Sequence, residues 1–294
     1  MKTKRLFILL IAVIAALSIV PFTASAATGT AISSAAELVN LMNDSTKWDG
    51  EYYLTADIDL SSMTNQAPIG NGTTQFTGTF DGNGKTISGL NVSGIKYQGL
   101  FGYAKNATIK NLTVKGKVDE VSASGVEVYA GGLAGAVTGI STIENVTTYV
   151  DVTALLAGGL QAVGGLIGKV GCTSTDASNP DVINIVNCHT YGTIESARGT
   201  AGLIGIVWAD GVEALVSAVG GKINIINCSA NGKVLYYSAT AFGQCGGIIG
   251  YLSFKRGTNF EINIDGCVNN ASVSGPTLKS RIGGIIGWLM SEED

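Results

Sequence analysis

A short apolar element bounded by glycines recurs six times along the chain. Each copy reads Gly-Leu-x-Gly or Gly-Ile-x-Gly, and the copies begin at residues 99, 132, 165, 202, 247 and 284. Their starts are therefore 33 to 45 residues apart. A repeat at this spacing is typical of a solenoid, in which similar units stack and loops of different length leave a common frame. The pattern predicts a stack of about six units.

A second set of columns indicates how the chain runs in each unit. An isoleucine stands two residues before a glycine or asparagine, and an apolar residue follows directly. The three columns are Ile87, Ile109, Ile143, Ile185, Ile225 and Ile264; Gly89, Asn111, Asn145, Asn187, Asn227 and Gly266; and Leu90, Leu112, Val146, Cys188, Cys228 and Cys267. Glycine and asparagine both tolerate positive φ, so the middle column predicts a bend. The first and third columns are predicted to face the interior.

Alternation with a period of two residues predicts short strands after each glycine element. The second residue after the last glycine is always apolar, whereas the first varies. The varying residues, which alternation turns away from the interior, are Tyr103, Ala136, Lys169, Ile206, Tyr251 and Trp288. Helical periodicity of comparable strength is absent from the repeats. We therefore predict an all-β fold, a right-handed parallel β-helix (solenoid) of about six coils filled by Ile, Leu and Val ladders.

The third residue of each glycine element does not fit strict alternation. It is always apolar, at Phe101, Ala134, Ile167, Ile204, Ile249 and Ile286. Strict alternation would expose this row to solvent. Either the glycines reset the alternation at a corner, or a loop or a partner covers the row.

Residues 27–75 are predicted to cap the β-helix with a helix and a strand. Ser34 and Glu37 fit a capping box, which predicts a helix over about residues 35–43. Residues 52–60 alternate in polarity and predict one strand with Tyr53 and Ile58 on its apolar side. Residues 76–290 then form the repeats and residues 291–294 an acidic tail. The sequence shows no recognisable cap at the C-terminal edge, where either the acidic residues or a packing partner would protect the open strands.

The first 26 residues have the features of a secretory signal peptide. Three basic residues precede an apolar run from Leu6 to Val20, and Ala24 and Ala26 supply the small residues of a cleavage site. The alternative is an uncleaved anchor, but the run is shorter than the ~20 residues that a membrane span needs. We expect a secreted or cell-surface protein with no membrane span after signal removal.

Composition narrows the range of partners and mechanisms. Charged residues make up 14% of the chain, against about 25% in average soluble domains. Without the signal, 15 basic and 22 acidic residues remain, a net charge of −7. This acidity argues against nucleic acid and anionic lipid as partners. A single histidine, His189, also argues against mechanisms that need several imidazoles.

The repeat region is similar to a known type of bacterial repeat. Residues 80–90 read Phe-Asp-Gly-Asn-Gly-Lys-Thr-Ile-Ser-Gly-Leu, and the six glycine elements follow them. From about residue 76 to residue 290 the chain resembles the GLUG repeats of bacterial secreted and cell-surface proteins. The resemblance implies an adhesin-like or spacer role. GLUG repeats also accompany metallopeptidases that cut immunoglobulin A and resemble zincins, whose His-Glu-x-x-His helix is absent here.

The cysteines and acidic residues do not predict a metal or cofactor site. Three of the five cysteines, Cys188, Cys228 and Cys267, fall in one inward column, where they would form a line and not a tetrahedron. Buried free thiols are predicted, and although a disulfide between neighbouring coils satisfies the distance, it suits the dihedral badly. Asp57 and Asp59 are interpreted as a solvated strand face, and residues 81–85 as a turn that lacks the ligands of a calcium loop.

The candidate binding residues are aromatic. Tyr149 and Tyr191 stand four residues after the bends of successive coils, so their rings are expected one coil step apart. Such rings can stack on sugars, and Trp288 extends this chemistry elsewhere on the surface; the alternative is that the rings brace neighbouring coils. His189 is interpreted as a solvated residue, and no catalytic residue is predicted.

Three classes of function remain open. The first is a non-catalytic, secreted or cell-surface scaffold that binds a glycan or an extracellular protein through Tyr149, Tyr191 and Trp288. The second is a polysaccharide-acting, lyase-like β-helix enzyme, which needs a base and usually a calcium-binding acid cluster that no outward column supplies. The third is a purely structural spacer of a larger surface protein. The sequence favours the first class.

Overall fold

The computed structural model describes residues 28–121, 126–155, 159–208, 220–237, 243–255, 259–275 and 280–292. The signal peptide predicted for residues 1–26 lies outside the described residues. Within the described part of the chain, no helix has the length and apolarity needed to cross a membrane.

The N-terminal cap contains β1 (Thr30–Ile32), α1 (Ala35–Asn43), a 3-10 turn (Ser45–Lys47), β2 (Glu51–Leu54) and β3 (Ile58–Asp59). The predicted helix is confirmed, with both halves of its capping box formed. The backbone N–H of Glu37 donates to Ser34 Oγ at 3.3 Å, and the Glu37 carboxylate accepts from the backbone N–H of Ser34 at 3.1 Å. Hydrogen bonds from Ser33 and Ser34 hold the pKa of Glu37 below its usual value.

The prediction of one continuous strand over residues 52–60 was wrong in the middle. The chain forms two strands, β2 and β3, and it is Tyr52 that is buried whereas Tyr53 is half-buried. The alternation itself continues across the break, because Leu54, Ile58 and Leu60 are all buried. The Asp57 carboxylate accepts the backbone N–H of Thr86 at 2.8 Å at this break.

The repeats consist of short strands that follow one another at the corners of a coil. They are β4 (Thr79–Gly94), β5 (Tyr97–Gln98), β6 (Phe101–Lys105), β7 (Thr108–Glu120), β8 (Val128–Gly131), β9 (Ala134–Thr138), β10 (Ser141–Ala154), β11 (Gln161–Gly164), β12 (Ile167–Gly171), β13 (Asp181–Val186), β14 (His189–Thr190), β15 (Thr193–Ser196), β16 (Gly199–Ala201), β17 (Ile204–Trp208), β18 (Gly220–Ile226), β19 (Ser229–Ala230), β20 (Lys233–Tyr236), β21 (Gly243–Gly246), β22 (Ile249–Lys255), β23 (Asn259–Asp265), β24 (Val268–Asn269), β25 (Ser272–Ser274), β26 (Ser280–Gly283) and β27 (Ile286–Glu292).

The strands build three parallel sheets around a common interior. Sheet 1 has 15 strands along the path β1-β2-β4-β7-β10-β13-β18-β23, with the remaining short strands paired beside it. Sheet 2 has the order β26-β21-β16-β11-β8-β5 and sheet 3 the order β27-β22-β17-β12-β9-β6. Neighbouring strands are parallel and in register from coil to coil. The chain passes through sheets 1, 2 and 3 in turn, so the predicted parallel β-helix of six coils is confirmed.

The bend column has the predicted backbone conformation. Asn111, Asn145, Asn187 and Asn227 have φ of 53–54°, and Gly266 has φ of 61°. The isoleucines before the bends of the inner coils, Ile109, Ile143, Ile185 and Ile225, are fully buried. Asparagine adopts this left-handed conformation more readily than other residues with a side chain, because its amide forms local hydrogen bonds.

The first row of the bend column has the predicted conformation, because Ile87 and Leu90 are buried and Gly89 has φ of 70°, but its alignment with the rows of the other coils was wrong. Phe80, not Ile87, pairs with Ile109, and Lys85 pairs with Leu112. Residues 82–84 therefore form a bulge opposite Asn111, and the bend of this coil lies at Asn83 and Gly84, with φ of 50° and 71°. The predicted turn in this segment is confirmed. Gly89 lies at a second irregularity of β4, where the register shifts between Ile87 and Leu90.

The corner between sheets 2 and 3 explains why the third residue of each glycine element is apolar. In the second coil, Leu133 and Ala134 are adjacent in sequence and both fully buried in the interior. The same holds for Leu166 with Ile167 and for the corresponding pairs of the inner coils. The glycines thus reset the alternation at a corner, which was one of the two predicted alternatives.

The final coil leaves apolar side chains open to solvent. Ile282, Ile285 and Leu289 are 48%, 39% and 57% exposed, whereas the corresponding residues of the preceding coil, Cys245, Ile248 and Leu252, are buried. The cap covers the opposite end, where Leu38, Leu41 and other residues of α1 pack into the same core as the repeats.

Candidate binding face

Two exposed tyrosines stack on the outer surface of sheet 1. The ring centroids of Tyr149 and Tyr191 are 4.7 Å apart and the ring planes differ by 12°. This separation matches the ~4.8 Å spacing of parallel strands, so the rings follow the coil repeat as predicted. Tyr149 is 47% exposed and Tyr191 is 45% exposed. We call the surface formed by Tyr149, Tyr191 and their neighbours Lys115 and Asn231 the tyrosine face.

Buried threonines fix the position of both tyrosines. Thr148 and Thr190 precede the tyrosines and point into the interior. The Thr148 hydroxyl donates to the carbonyl of Gly165 at 2.9 Å, and the Thr190 hydroxyl donates to the carbonyl of Gly202 at 2.7 Å. These glycines begin the repeat elements. Each tyrosine is therefore anchored across the interior of the solenoid to the corner of its own coil.

Charged and amide groups flank the stack along the solenoid axis. The Lys115 ammonium lies 5.5 Å from the centroid of the Tyr149 ring, on the coil before it. On the other side, Asn231 donates to Ser229 Oγ at 2.8 Å and accepts from the amide of Asn270 at 2.9 Å. The tyrosine face thus combines aromatic surface with amides, an ammonium and hydroxyl groups. This combination suits binding of an amphipathic ligand such as a sugar or a protein surface.

His189 lies beside the tyrosine face and pairs with a hydroxyl group. Its Nδ1 is 2.8 Å from Ser229 Oγ in the next coil. The imidazole is half-buried, so it is less exposed to solvent than the sequence interpretation expected. Within the described residues, no group of three or more His, Cys, Asp and Glu side chains is arranged to hold a metal ion.

The Asp59 carboxylate, in the N-terminal cap, accepts the backbone N–H of Ser61 at 2.9 Å, and this hydrogen bond lowers the pKa of Asp59.

Trp288 lies on a different surface from the tyrosine pair. It belongs to β27 of sheet 3, whereas Tyr149 and Tyr191 belong to the surface of sheet 1. The Trp288 ring stacks on Tyr251 with centroids 4.9 Å apart, and the Arg281 guanidinium lies 3.6 Å from the Trp288 ring centroid. The three predicted residues therefore do not form one site.

Trp288 is part of a second apolar cluster that the sequence did not predict. Sheets 2 and 3 meet at the glycine corner, and side chains on their outer sides pack together there. We call this cluster the crease; its buried members are Tyr97, Tyr103, Tyr129, Ala136, Ala162, Ile206 and Tyr251, with Leu160, Trp208, Trp288 and Met290 at its border. The varying column after each glycine element does turn away from the interior, but the crease buries it in the inner coils.

A lysine is enclosed in the middle of the crease. Lys169 is fully buried, and its ammonium lies 4.6 Å from the Tyr129 ring centroid and 4.5 Å from that of Trp208. The Tyr129 hydroxyl donates to the Glu127 carboxylate at 2.8 Å. Aromatic faces attract cations, which compensates for the loss of water around the ammonium. The aromatic and basic residues of the varying column were the sequence signal for this cluster.

The cysteines are buried thiols, as predicted. All five are free, and Cys188 and Cys228 are buried in the inward column, with Cys267 half-buried in the final coil. Cys228 Sγ lies 3.4 Å from the carbonyl oxygen of Ile185. The hydrogen bond with Cys188 and burial raise the pKa of Cys228 to about 12. These thiols are packing residues, not reactive groups.

Comparison with known proteins supports the fold more than the role. No protein-family model matches the chain. Over 168 residues, or 52% of this chain, it is 36% identical to Halomucin from Haloquadratum walsbyi, and this match spans 2% of Halomucin. A crystal structure described as a candidate immunoglobulin A1 protease from Bacteroides ovatus matches with a TM-score of 0.58 and 19% identity, over 92% of this chain and 74% of that one. At that identity the likeness shows the fold alone.

Proposed function

We propose that this chain is a GLUG-type repeat scaffold that acts outside the cell and binds a glycan or an extracellular protein without catalysis. The observation that carries the proposal is the stacked pair of Tyr149 and Tyr191, which is almost half exposed on a rigid sheet. Tyrosine offers a large amphipathic contact area with few rotatable bonds, so it loses little entropy on binding. The location outside the cell is inferred from the predicted signal peptide.

A purely bracing role would explain the contact between the rings but not their exposure. Stacked rings that only join coils would be equally effective beneath a loop or a charged side chain. Here the neighbouring columns present polar groups, including the Asp151 carboxylate, which accepts the backbone N–H of Thr193 at 2.7 Å. The result is an aromatic patch with a polar rim, an arrangement typical of binding surfaces.

The protease name of the Bacteroides ovatus structure does not lead us to propose proteolysis for this chain. The likeness is at 19% identity, and the proposal rests on the tyrosine face instead. Catalysis by a β-helix enzyme would require an acid and a base aligned around one reacting atom. His189 is the most enzyme-like residue near the tyrosine face, and its Nδ1 lies 2.8 Å from the hydroxyl oxygen of Ser229.

A combined binding and turnover experiment tests this function. The mature protein, His189→Ala and the double variant Tyr149→Ala/Tyr191→Ala are applied to a glycan array and to immobilised extracellular-matrix proteins. They are also incubated with uronic-acid polymers and Ca²⁺. We expect selective binding by the wild type and by His189→Ala, and no turnover by any of the three.

Two results would contradict the proposal in different ways. Turnover by the wild type that His189→Ala abolishes would favour a polysaccharide-acting enzyme. Failure of the wild type to bind any member of either panel would favour a structural spacer. Thermal unfolding of each variant checks that the substitutions leave the β-helix intact.

A further inference from the structure

A cleft opens where the N-terminal cap meets the first coil. It has a volume of about 810 Å³ and is lined by the end of α1, the 3-10 turn, residues 67–73 and residues 95–98. This volume lies within the range of small-molecule sites in proteins. We call it the end cleft. It shares no lining residue with the tyrosine face, which lies on later coils.

One buried acceptor in the wall of the end cleft lacks a donor. Gln98 is 5% exposed, and its Nε2 donates to the carbonyl oxygen of Ile95 at 3.0 Å. This bond fixes the orientation of the amide, because the flipped amide would place two acceptors against each other. Gln98 Oε1 then has no hydrogen-bond partner among the described residues. A buried carbonyl without a donor is unfavourable, so a ligand that supplies an O–H or N–H group would be stabilised here.

Two asparagines at the rim offer further hydrogen-bonding groups. The Asn43 Nδ2 donates to the carbonyl oxygens of Val39 and Asn65, so its Oδ1 is the amide atom that remains to accept. The Asn71 Oδ1 accepts the backbone N–H groups of Thr73 and Thr74, so its Nδ2 remains to donate. Both amides are thus held in place by the cap and its loop before any ligand binds.

The remaining lining is uncharged apart from one lysine, and it includes two aromatic residues. Trp48 and Tyr97 form part of the wall, and Ile95 is 62% exposed at the rim. Lys96 lies over the Tyr97 ring, with its ammonium 5.3 Å from the ring centroid. Carboxylates are absent from the lining residues that the structure describes. Fixed amides beside aromatic rings match the alternating hydroxyls and apolar faces of a neutral sugar.

We propose that the end cleft binds a short neutral oligosaccharide. In the complex the Gln98 side chain turns so that its Oε1, which is enclosed in the free protein, accepts a sugar hydroxyl at the inner wall. The two asparagine amides bind hydroxyls at the rim, and Ile95 contacts an apolar sugar face. This inference goes beyond the proposed function, since it assigns a second site on different residues. The β-helix would then bind saccharide at one end independently of the tyrosine face.

Titration with defined sugars tests the end cleft in the wild type. The probes are cellotetraose, mannotetraose and chitotetraose, and the readout is the shift of side-chain amide and indole resonances in ¹H–¹⁵N spectra. We expect at least one probe to shift the side-chain amides of Gln98, Asn43 and Asn71 together with the Trp48 indole. Absence of these shifts with all three probes at millimolar concentration would overturn the proposal without requiring any variant.

Variants then separate the end cleft from the tyrosine face. Gln98→Met, which keeps the length of the side chain but removes the acceptor, is expected to weaken the association constant at least 10-fold. Ile95→Ala, at an exposed position that leaves the fold intact, is expected to weaken it about threefold. The double variant Tyr149→Ala/Tyr191→Ala should bind this probe with the same association constant as the wild type. Binding lost in the tyrosine variant but kept in Gln98→Met would overturn the end cleft and leave the proposed function standing.

Discussion

The asparagine of each bend serves both the backbone and the neighbouring coil. At φ of 53–54° it occupies a conformation that β-branched residues rarely adopt. Its amide also joins a ladder along the axis, because Asn187 Nδ2 donates to Asn145 Oδ1 at 3.2 Å and Asn145 Nδ2 donates to Asn111 Oδ1 at 3.1 Å. The sequence predicted the conformation from the exchange of asparagine with glycine. It did not predict the ladder, because spacing alone does not give side-chain direction.

Substitution at Asn187 separates these two roles. Asn187→Gly keeps the backbone conformation and loses one exposed hydrogen bond, so we expect a loss of at most ~1 kcal/mol in the free energy of unfolding. Asn187→Val adds left-handed strain and should cost at least ~1–2 kcal/mol more than the glycine variant. Urea unfolding of the two variants provides the comparison. Equal losses would show that strain at the bend is not what selects asparagine.

At the scale of the strands, the inward column that contains the cysteines shows which residue types one buried position accepts from coil to coil. Leu112, Val146, Cys188 and Cys228 follow one another in successive coils, and each is buried. The common requirement is a small or medium apolar volume, which the sequence columns revealed.

The wrong alignment of the first repeat row, in β4, has a different origin. The bulge between Asp81 and Lys85 depends on three residues facing one across the sheet, and a pattern of spacings within one strand cannot show its partner.

The raised pKa of the buried thiols predicts alkaline instability. Cys228 has a pKa of about 12 in the folded state, against an ordinary value of 9.0. Above pH 9 the unfolded chain therefore releases this proton while the folded protein retains it, so stability falls as pH rises from 9 towards 12. Below pH 8 this thiol is protonated in both the folded and the unfolded state, so it should not contribute to the pH dependence of the free energy of unfolding.

Cys228→Val provides the matched comparison. The change nearly conserves volume, so it should cost less than ~1.5 kcal/mol at pH 7. Between pH 9 and pH 11 the midpoint of urea unfolding should fall less steeply for the variant than for the wild type. Identical slopes would contradict the assigned burial of the thiol. Unfolding under reducing conditions excludes disulfide formation as a cause of any difference.

The crease is predicted to stabilise the contact between sheets 2 and 3. Lys169 is enclosed by Tyr129 and Trp208, so Lys169→Ala removes both packing and a cation–π contact. We expect a loss of at least ~2 kcal/mol in the free energy of unfolding. The exposed Lys233 is the control, and Lys233→Ala should change stability by no more than ~0.5 kcal/mol. An unchanged free energy of unfolding in Lys169→Ala would mean that the crease does not contribute to stability.

For the whole molecule, the repeats specified the architecture and left the site only partly defined. Six glycine elements and the inward columns were sufficient for a parallel β-helix, because each coil repeats the same contacts. Tyr149 and Tyr191 were found because they recur at one position of successive coils. Trp288 was grouped with them by chemistry, whereas the coil path places it on another sheet. The end cleft was missed because its walls come from the cap, a loop and the first coil, which share no pattern in sequence.

The most direct test of the account is the affinity of the tyrosine face for the ligand that the binding panels identify. Dissociation constants are measured by calorimetry for the wild type, for Tyr149→Ala/Tyr191→Ala, and for Tyr237→Ala, a control in which a 67% exposed tyrosine outside the stack is removed. The account predicts that the double variant binds at least 10-fold more weakly, equivalent to about 1.4 kcal/mol, with unchanged unfolding temperature, and that the Tyr237 variant binds as the wild type does. Equal affinities for all three proteins would contradict the claim that the stacked tyrosines form the binding face.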